Sequence, residues 1–301
     1  MKVFVAGATG AIGRPLIAEL IRQGHSVTAM THSESNIQFL KESGVASAVA
    51  SAFDAAAVER AVRQSQAEVV IDQLTSLPKT PADMEAAQAG DRKLRIEGGG
   101  NLLRAAQACG VRRYLQQSSG FFLKTDAGLA DESNGMATDA SPGVAFSARS
   151  YAELESRLSS AVLEGVALRY GFFYGPNTWY NPDGACADQA RRQEIPIIGR
   201  GEGVWSWVHI EDAATATVAA LTAPAGVYNI VDDDPSPISV WLPAFAQSVG
   251  APPLPHVTEQ QAREAAGEDA VYYGTKLSGA SNAKAKKLLG FNPRRLEWLS
   301  Q

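Results

Sequence analysis

The chain has 301 residues, of which 45% are hydrophobic and 20% charged, and its formal net charge is -5. This composition is typical of a soluble globular protein that can bury a full core, and the acidic balance without a basic cluster argues against nucleic acid as a main partner. No apolar run approaches the roughly twenty residues that cross a bilayer, the first residues lack a secretory pattern, and two cysteines (Cys109, Cys186) are too few for a disulfide framework. We therefore expect a cytoplasmic protein that does not enter a membrane.

Short apolar, β-branched runs alternate with segments of helical period through the first half of the chain. This alternation predicts βαβ units, and hence a parallel sheet with helices on both faces. The predicted strands lie near residues 2–6, 26–31, 46–51, 67–73, 112–118 and 166–171. The predicted helices lie near residues 12–23, 34–43, 55–65, 84–109 and 147–164.

The stretch from Phe121 to Val144 is rich in Gly, Asp, Ser and Asn, which predicts a loop over the carboxyl edge of the sheet, beside an active site. After Arg169 the alternation fades. We therefore expect a dinucleotide-binding domain over 1–170, to which 206–235 returns, and a smaller substrate-binding lobe over most of 171–301. Predicted elements there are a strand feeding a helix at 204–210, a strand at 226–231, and mostly helix up to Leu299.

The most informative motif is the glycine triplet Gly7, Gly10 and Gly13, which separates the first predicted strand from the first helix. Glycines at such a turn let backbone N–H groups approach a phosphate, and the helix dipole presents its positive end there. The first gap is one residue wider than in the G-x-G-x-x-G fingerprint. The turn predicts a dinucleotide site formed by Gly7, Thr9, Gly10, Ala11, Ile12 and Gly13.

The end of the second strand determines the preference between the two nicotinamide dinucleotides. An acidic residue there holds the ribose 2′-hydroxyl of NAD and repels a 2′-phosphate. This chain has Thr31-His32-Ser33 and no carboxylate before Glu34. His32 and Ser33 could accommodate a phosphate, so the repulsion argument favours NADP(H) over NAD(H).

Further motifs follow the later strands: Asp54, Ser118-Ser119, Arg169-Tyr170-Gly171 with Tyr174-Gly175-Pro176, and Val208-His209-Ile210-Glu211-Asp212. Together with the glycine turn they resemble the extended short-chain dehydrogenase/reductase superfamily, in its NAD-dependent epimerase/dehydratase branch, over nearly the whole chain. The resemblance implies an α/β fold: a Rossmann-type doubly wound parallel sheet with a smaller C-terminal α/β substrate lobe. It also implies a homodimer through the helices near 84–109 and 147–164.

The same resemblance assigns further cofactor contacts. Asp54 should hydrogen-bond the adenine amino group, although an aspartate ahead of Ala55-Ala56-Ala57 also fits the pattern of a helix N-cap. The ribose and nicotinamide side should be lined by Gln73, Leu74 and Thr75, and the remaining implied cofactor contacts are Tyr170 and Phe172.

The catalytic residues of this superfamily are a serine or threonine, a tyrosine and a lysine, the last two spaced Y-x-x-x-K. Ser119 matches the serine. If Glu155 is the glutamate that follows the lysine by four, then Ser147 takes the tyrosine slot and Tyr151 the lysine slot. In the alternative register Tyr151 is the acid, but Glu155 stands in the lysine slot, where a carboxylate raises the tyrosine pKa. The usual pair is broken either way, which leaves Ser119, Tyr151 or a residue of the 121–144 loop as the proton donor.

Three functions follow from this pattern. We favour an atypical NAD(P)(H)-dependent oxidoreductase acting on a small, partly apolar carbonyl or hydroxyl substrate. The alternatives are a catalytically silent NADP(H)-binding redox sensor and a sugar-type epimerase or dehydratase, which the missing base disfavours. No spacing of His or Cys indicates a metal.

Aromatic residues at predicted strand and loop ends suit a small aromatic or terpenoid-like ligand, although core packing explains any single one of them. The candidate substrate-binding residues are Phe121, Phe122, Asn177, Trp179, Tyr180 and Trp205.

Overall fold

The computed structural model describes residues 1–300. Its strands are β1 (Lys2–Ala6), β2 (Ser26–Thr31), β3 (Ala46–Val49), β4 (Val69–Asp72), β5 (Arg113–Ser119), β6 (Glu164–Tyr170), β7 (Phe172–Tyr174), β8 (Ile197–Ile198), β9 (Val204–Trp205), β10 (Trp207–His209), β11 (Gly226–Ile230), β12 (Ser236–Pro237) and β13 (His256–Val257). Its helices are α1 (Gly13–Arg22), α2 (Ile37–Glu42), α3 (Ala55–Ser65), α4 (Met84–Lys93), α5 (Gly99–Ala108), α6 (Pro142–Ser159), α7 (Ala185–Arg191), α8 (Ile210–Ala219), α9 (Ile238–Ser248), α10 (Glu259–Thr275) and α11 (Ala283–Leu289).

A seven-stranded sheet in the order β11-β6-β5-β4-β1-β2-β3 forms the centre of the molecule, and all its pairings are parallel. The chain moves outward from β1 in one direction and then continues from β4 in the other. This reversal opens a crevice at the carboxyl ends of β1 and β4, which is where such sheets bind ligands. The predicted doubly wound parallel fold is confirmed.

Two hydrophobic layers cover the sheet because alternate residues of each strand face opposite sides. On β1, Val3 and Val5 join one layer, which includes residues of α1 and α8, while Phe4 joins the other, which includes residues of α3 and α5. The two layers hold the carboxyl edge of β1 and β4 in place on both sides.

A third, strongly aromatic core lies in the C-terminal half of the chain, among three two-stranded sheets (β7 with β10, β8 with β13, β9 with β12). Trp207 and Trp241 are fully buried there, with their ring centres 4.7 Å apart. Because β11 pairs with β6, the chain returns from this region to the main sheet.

Several element bounds differ from the sequence prediction. The helix predicted at 147–164 begins at Pro142, because Asp269 Oδ1 accepts hydrogen bonds from the amides of Gly143 (3.1 Å) and Val144 (3.3 Å). The strand predicted at 204–210 breaks at Ser206 into β9 and β10, which pair with different partners. The helix predicted at 84–109 contains a π-helical turn over Leu94–Gly98.

Candidate cofactor and active site

The glycine turn lies between β1 and α1, at the edge where the strand order reverses. Gly7 has a φ of 82°, and a Cβ there would lie 2.3 Å from the carbonyl oxygen of Gln73. A Cβ on Gly13 would lie 2.2 Å from Gly7 O, so neither position admits a side chain. Gly10 is exposed, and a Cβ there would reach only ordinary contact, 3.4 Å from Gly7 O. Its missing side chain therefore leaves the outer face of the turn open to a ligand.

Backbone donors are available at this turn. The amides of Ala11, Ile12 and Gly13 donate to no acceptor within residues 1–300, whereas Arg14 N donates to Gly10 O at 3.1 Å. Free amides at a helix N-terminus bind anions, because they complement the charge and the dipole adds to the attraction. The turn therefore fits the pyrophosphate of a dinucleotide.

A cationic side chain that the sequence did not single out packs against the helix that follows β2. His32 is exposed and Ser33 half-buried after this strand. Arg14 Nε donates to Thr9 O at 3.2 Å, and its guanidinium carbon lies 4.1 Å from the centre of the Phe39 ring on α2. Arg14 thus extends from the glycine turn to the helix that follows β2. The sequence places Arg14 on α1, and only the packing of α1 beside α2 brings it towards the end of β2.

Asp54 caps α3, since its Oδ1 accepts a hydrogen bond from Ala57 N at 2.9 Å. This is the capping role that the sequence left as the alternative. The carboxylate is exposed, and its Oδ2 makes no hydrogen bond within residues 1–300. The adenine contact therefore remains a prediction that is compatible with the cap.

A buried ionic network lies beyond the end of β4. Arg95 Nε donates to Asp91 Oδ2 (2.6 Å) and Nη2 donates to Thr75 Oγ1 (2.9 Å), while Thr75 Oγ1 donates to Asp91 Oδ1 (3.0 Å). The arginine, which lies in the π-helical turn, is 5% exposed. Its guanidinium carbon is 5.2 Å from the centre of the Tyr151 ring. The network fixes the Thr75 hydroxyl and places a permanent positive charge beside Tyr151.

Asp91 and Arg95 were not singled out from the sequence. Their i,i+4 spacing in a predicted helix indicates an ion pair. Such pairs are mostly surface features, and only the tertiary structure turns this one inward onto Thr75 and Tyr151.

Glu155 on α6 is bound to the sheet. Its Oε1 accepts from Arg169 Nε (2.8 Å) and from Ser118 Oγ (2.6 Å), and its Oε2 accepts from Arg169 Nη2 (2.8 Å). These contacts occupy both carboxylate oxygens in attaching α6 to β5 and β6.

The tyrosine slot is taken by Ser147 in one register and by Tyr151 in the other. Ser147 Oγ accepts a hydrogen bond from Gln88 Nε2 at 3.1 Å. Burial raises the pKa of Tyr151, and the neighbouring Arg95 opposes this rise without cancelling it. The phenol therefore stays protonated at neutral pH. Ser119 is 1% exposed, and its Oγ accepts from Phe121 N at 3.4 Å.

Two of the expected cofactor contacts lie inside the protein. The Tyr170 hydroxyl is within 2.6 Å of Thr217 Oγ1 and accepts from Gln73 Nε2 at 3.0 Å. Both Tyr170 and Gln73 are 1% exposed, so their side chains belong to the core beneath the crevice. The contact of Tyr170 and Gln73 with a cofactor remains a prediction. The Gln73 carbonyl packs against Gly7 of the glycine turn, while Leu74 and Thr75 are half-buried at the crevice.

The candidate aromatic residues fall into two groups. Phe121, Phe172 and Trp205 form a face-to-face stack, with ring centres 4.1 Å and 3.8 Å apart, and Phe122 packs 6.0 Å from Tyr151. Phe121 and Phe122 follow β5 and lie near Ser119 and Tyr151. Trp205 belongs to both groups, since its ring centre lies 4.9 Å from that of Trp241 in the aromatic core. Tyr180 packs edge-on against Trp207 in the same core, at 4.7 Å.

Asn177 and Trp179 have structural contacts. Asn177 is exposed with a φ of 63°, in a turn that Thr178 closes by donating from its amide to Gly175 O. Trp179 Nε1 donates to Pro78 O at 3.1 Å and so connects the segment after β7 to the loop after β4. Their contact with a substrate remains a prediction.

A small polar cavity of about 10 Å³ lies beside Arg95 and has room for roughly one water molecule. It is lined by Asp72, Leu74, Arg95, Gln116, Gln117 and Leu154. Both side-chain polar atoms of Gln116 have no hydrogen-bond partner within residues 1–300, which is the environment a buried water satisfies. Within the same residues no helix is long and apolar enough to cross a membrane, and no group of His, Cys, Asp and Glu could hold a metal ion.

The crevice, the glycine turn and its free amides define a Rossmann-type dinucleotide-binding protein. The sequence model of the NAD dependent epimerase/dehydratase family matches residues 3–231. The chain belongs to this family, which confirms the resemblance inferred from its motifs.

The chain is also similar to proteins of named activity. A 3-diazoavenalumate denitrifying reductase from Streptomyces sp is 38% identical over 301 residues, covering 99% of this chain and 98% of that protein. The UDP-glucose 4-epimerase of Thermotoga maritima, solved with UDP-glucose, superposes with a TM-score of 0.76 at 21% identity, covering 99% of this chain and 95% of that one. The UDP-glucose 4-epimerase of Thermus thermophilus, solved with NAD, has a TM-score of 0.74 at 23% identity, covering 99% and 96%. At this identity the two epimerases show a shared fold.

Proposed function

We propose that this protein is an NADPH-dependent reductase of a small planar aromatic substrate, and that it works without the tyrosine and lysine pair of its superfamily. The observation that carries the proposal is an intact dinucleotide turn beside slots that hold Ser147 and Tyr151. The full-length similarity to a protein named as a reductase supports the same direction of reaction.

The cofactor would be held by residues of β1, β2, β3 and β4 and the turns that follow them. The pyrophosphate would lie on the amides of Ala11, Ile12 and Gly13, and the remaining contacts would come from Thr9, Arg14, His32, Ser33, Asp54, Leu74 and Thr75. The Thr75 hydroxyl, held by Arg95 and Asp91, would act as a fixed polar group beside the nicotinamide ribose.

The lack of a lysine that activates a tyrosine limits the chemistry. Reducing a carbonyl requires an acid at the substrate oxygen, and oxidising a hydroxyl requires a base. The Tyr151 phenol, whose pKa burial raises, is poorly suited to act as that base at neutral pH. A substrate whose reduction consumes no proton avoids this requirement.

An aryl diazonium ion is such a substrate, and the Streptomyces relative is named as a denitrifying reductase of a diazo compound. When bound, a reduced nicotinamide supplies a hydride, and for an aryl diazonium the balance is Ar–N₂⁺ plus hydride giving Ar–H and N₂, with the C–N bond broken and no proton taken up. The protein's part is to align the ring, exclude water and keep the cofactor in place. The stacked Phe121, Phe172 and Trp205 provide apolar planar surfaces for the ring.

The test is NADPH oxidation by the purified protein with an aryl diazonium carboxylate, with equal amounts of arene and N₂ as products. Gly10→Asp places a carboxylate on the outer face of the turn, so we expect it to abolish cofactor binding and turnover. Reactions without protein and with Gly10→Asp correct for the uncatalysed reaction.

Other outcomes would contradict the proposal. Tight NADPH binding without turnover of diazonium, carbonyl or enone compounds would favour the redox sensor. Conversion of UDP-glucose to UDP-galactose would favour the epimerase. If neither NADPH nor NADH binds, the reductase and sensor hypotheses both fail.

The proposed preference for NADPH over NADH can be tested separately. Arg14→Ala should weaken NADPH binding about tenfold or more, because a charge-assisted hydrogen bond contributes roughly 1.5–3 kcal/mol, and should leave NADH binding nearly unchanged. Titrations of both dinucleotides measure the ratio of the two dissociation constants. Arg22→Ala, at the other end of α1, is the matched control, and an equal loss for both cofactors would rule out a role in selectivity.

A further inference from the structure

The aromatic stack beside the active site is closed. Phe172 lies between Phe121 and Trp205, with ring centres 4.1 Å and 3.8 Å away and interplanar angles of 21° and 17°. These distances are ordinary van der Waals separations, so no further ring fits between the three. A planar ligand reaches this surface only by replacing one of them.

The three rings are held with different firmness. Trp205 is 8% exposed, and its Nε1 donates to Tyr273 O at 3.0 Å. Phe172 begins β7, and its amide donates to Ser206 O at 2.9 Å. Phe121 is the outer ring of the stack, half-buried, and it follows β5 in a segment with no helix or longer strand before Pro142. Its amide makes only a 3.4 Å hydrogen bond to Ser119 Oγ.

Phe121 also lies close to the candidate catalytic residues Ser119 and Tyr151. Ser119 precedes it by two residues, and the ring of the following residue, Phe122, packs 6.0 Å from the Tyr151 ring. Movement of the Phe121 side chain would therefore uncover one face of Phe172 close to Ser119 and Tyr151.

We propose that Phe121 is an internal plug that occupies the substrate's place, and that a planar aromatic substrate displaces it to stack on the exposed face of Phe172. This inference rests on the proposed function, for which it names the surface that recognises the substrate ring. The substrate and the Phe121 side chain compete for one ring face, so the free energy of the intramolecular stack opposes binding.

If the ligand competes with the Phe121 ring, substitutions of Phe121 and of Phe172 should change the dissociation constant of the ligand in opposite directions. With 4-hydroxycinnamate as the probe and NADPH present, Phe121→Ala should tighten the dissociation constant about fivefold, because it removes a stacked pair. Phe172→Leu should weaken it by a similar factor, since it removes the ring on which the ligand stacks while keeping most of the apolar volume. Calorimetric titration measures both constants.

Two controls accompany this titration. Leu129→Ala removes another apolar side chain, an exposed one, from the same segment and should leave the constant unchanged. The non-planar acid 3-cyclohexylpropanoate should bind Phe121→Ala no better than it binds the unaltered protein. If Phe121→Ala weakens cinnamate binding, Phe121 is a wall of the site and the plug is overturned.

Displacement can be observed without turnover or an affinity change. A 4-fluorophenylalanine at position 121 should show a fluorine resonance that moves towards its solvent-exposed value when 4-hydroxycinnamate saturates the protein. An unmoved resonance in a saturated sample overturns the plug, whether or not diazonium reduction is found. Conversely, if the ligand displaces the Phe121 ring but no NADPH is oxidised, the plug hypothesis stands and the reductase hypothesis fails.

Discussion

Asp232 is a buried carboxyl group shortly after β11. Burial raises its pKa to about 7, and its Oδ2 has no hydrogen-bond partner within residues 1–300. In the unfolded chain the same group titrates near its ordinary value, about 3.9. Between these values only the folded state holds the proton, so the contribution of this group to stability falls as the pH rises from about 4 to about 7.

Asp232→Asn should therefore stabilise the protein above about pH 7 and have little effect below about pH 4. The raised pKa of about 7 corresponds to a destabilisation on the order of 4 kcal/mol at high pH, and the amide regains part of it. Thermal unfolding at about pH 5 and about pH 8, on either side of the pKa of Asp232 in the folded protein, measures the difference in stability between the variant and the wild type. Exposed Asp139, changed to Asn, is the control. A variant that is less stable than the wild type at both pH values would contradict the buried-acid argument.

At the junction of α4 and α5, the packing of α5 against its neighbours depends on a glycine. Arg157 Nη1 donates to Ile96 O at 2.7 Å within the π-helical turn. A Cβ on Gly99 would lie 2.8 Å from Asp72 Oδ2, whose carboxyl group is itself held by Tyr114 Oη at 2.8 Å. The glycine at 99 thus allows α5 to lie directly against the buried polar groups at the end of β4.

Substituting two helical glycines separates this packing effect from helix propensity. Gly99→Ala should destabilise the protein by about 1–3 kcal/mol, because overpacking displaces a hydrogen-bonded carboxyl group. Gly90→Ala, on α4 with no atom within 4 Å of the added Cβ, should stabilise it by about 0.5–1 kcal/mol. Denaturant unfolding measures both. Equal effects of the two substitutions would mean that the close approach at Gly99 carries no cost.

Residues near the C-terminus join separate parts of the whole molecule. Arg294 pairs with Glu211 (2.9 Å) and Asp212 (3.0 Å) at the start of α8. Trp298 is 7% exposed and lies with its ring centre 5.1 Å from that of Trp207 in the aromatic core. α8 and the aromatic core are therefore connected through this short segment.

Trp298→Ala should lower the free energy of unfolding by about 3–5 kcal/mol, because it leaves a cavity in that core. Arg295→Ala, which removes an exposed ion pair with Asp234, should have little effect. Thermal unfolding followed by near-ultraviolet circular dichroism measures both changes. A similar small loss for the two variants would show that the aromatic core is not stabilised by this segment.

The sequence alone determined the parallel α/β fold and the glycine turn, because strand and helix periodicity and backbone close approach are local properties. It also predicts a site without the usual tyrosine and lysine pair, because no lysine follows Ser147 or Tyr151 by four residues. It did not predict the break at Ser206, the start of α6 at Pro142, or the positions of Arg14 and Arg95 beside the crevice. Nor did it predict the burial of Tyr170 and Gln73, because the alternation of apolar and polar residues along a strand does not indicate how deeply the end of the strand is covered. These features depend on partners distant in sequence, such as Asp269 for α6 and Thr217 for Tyr170, and only the tertiary structure brings those partners together.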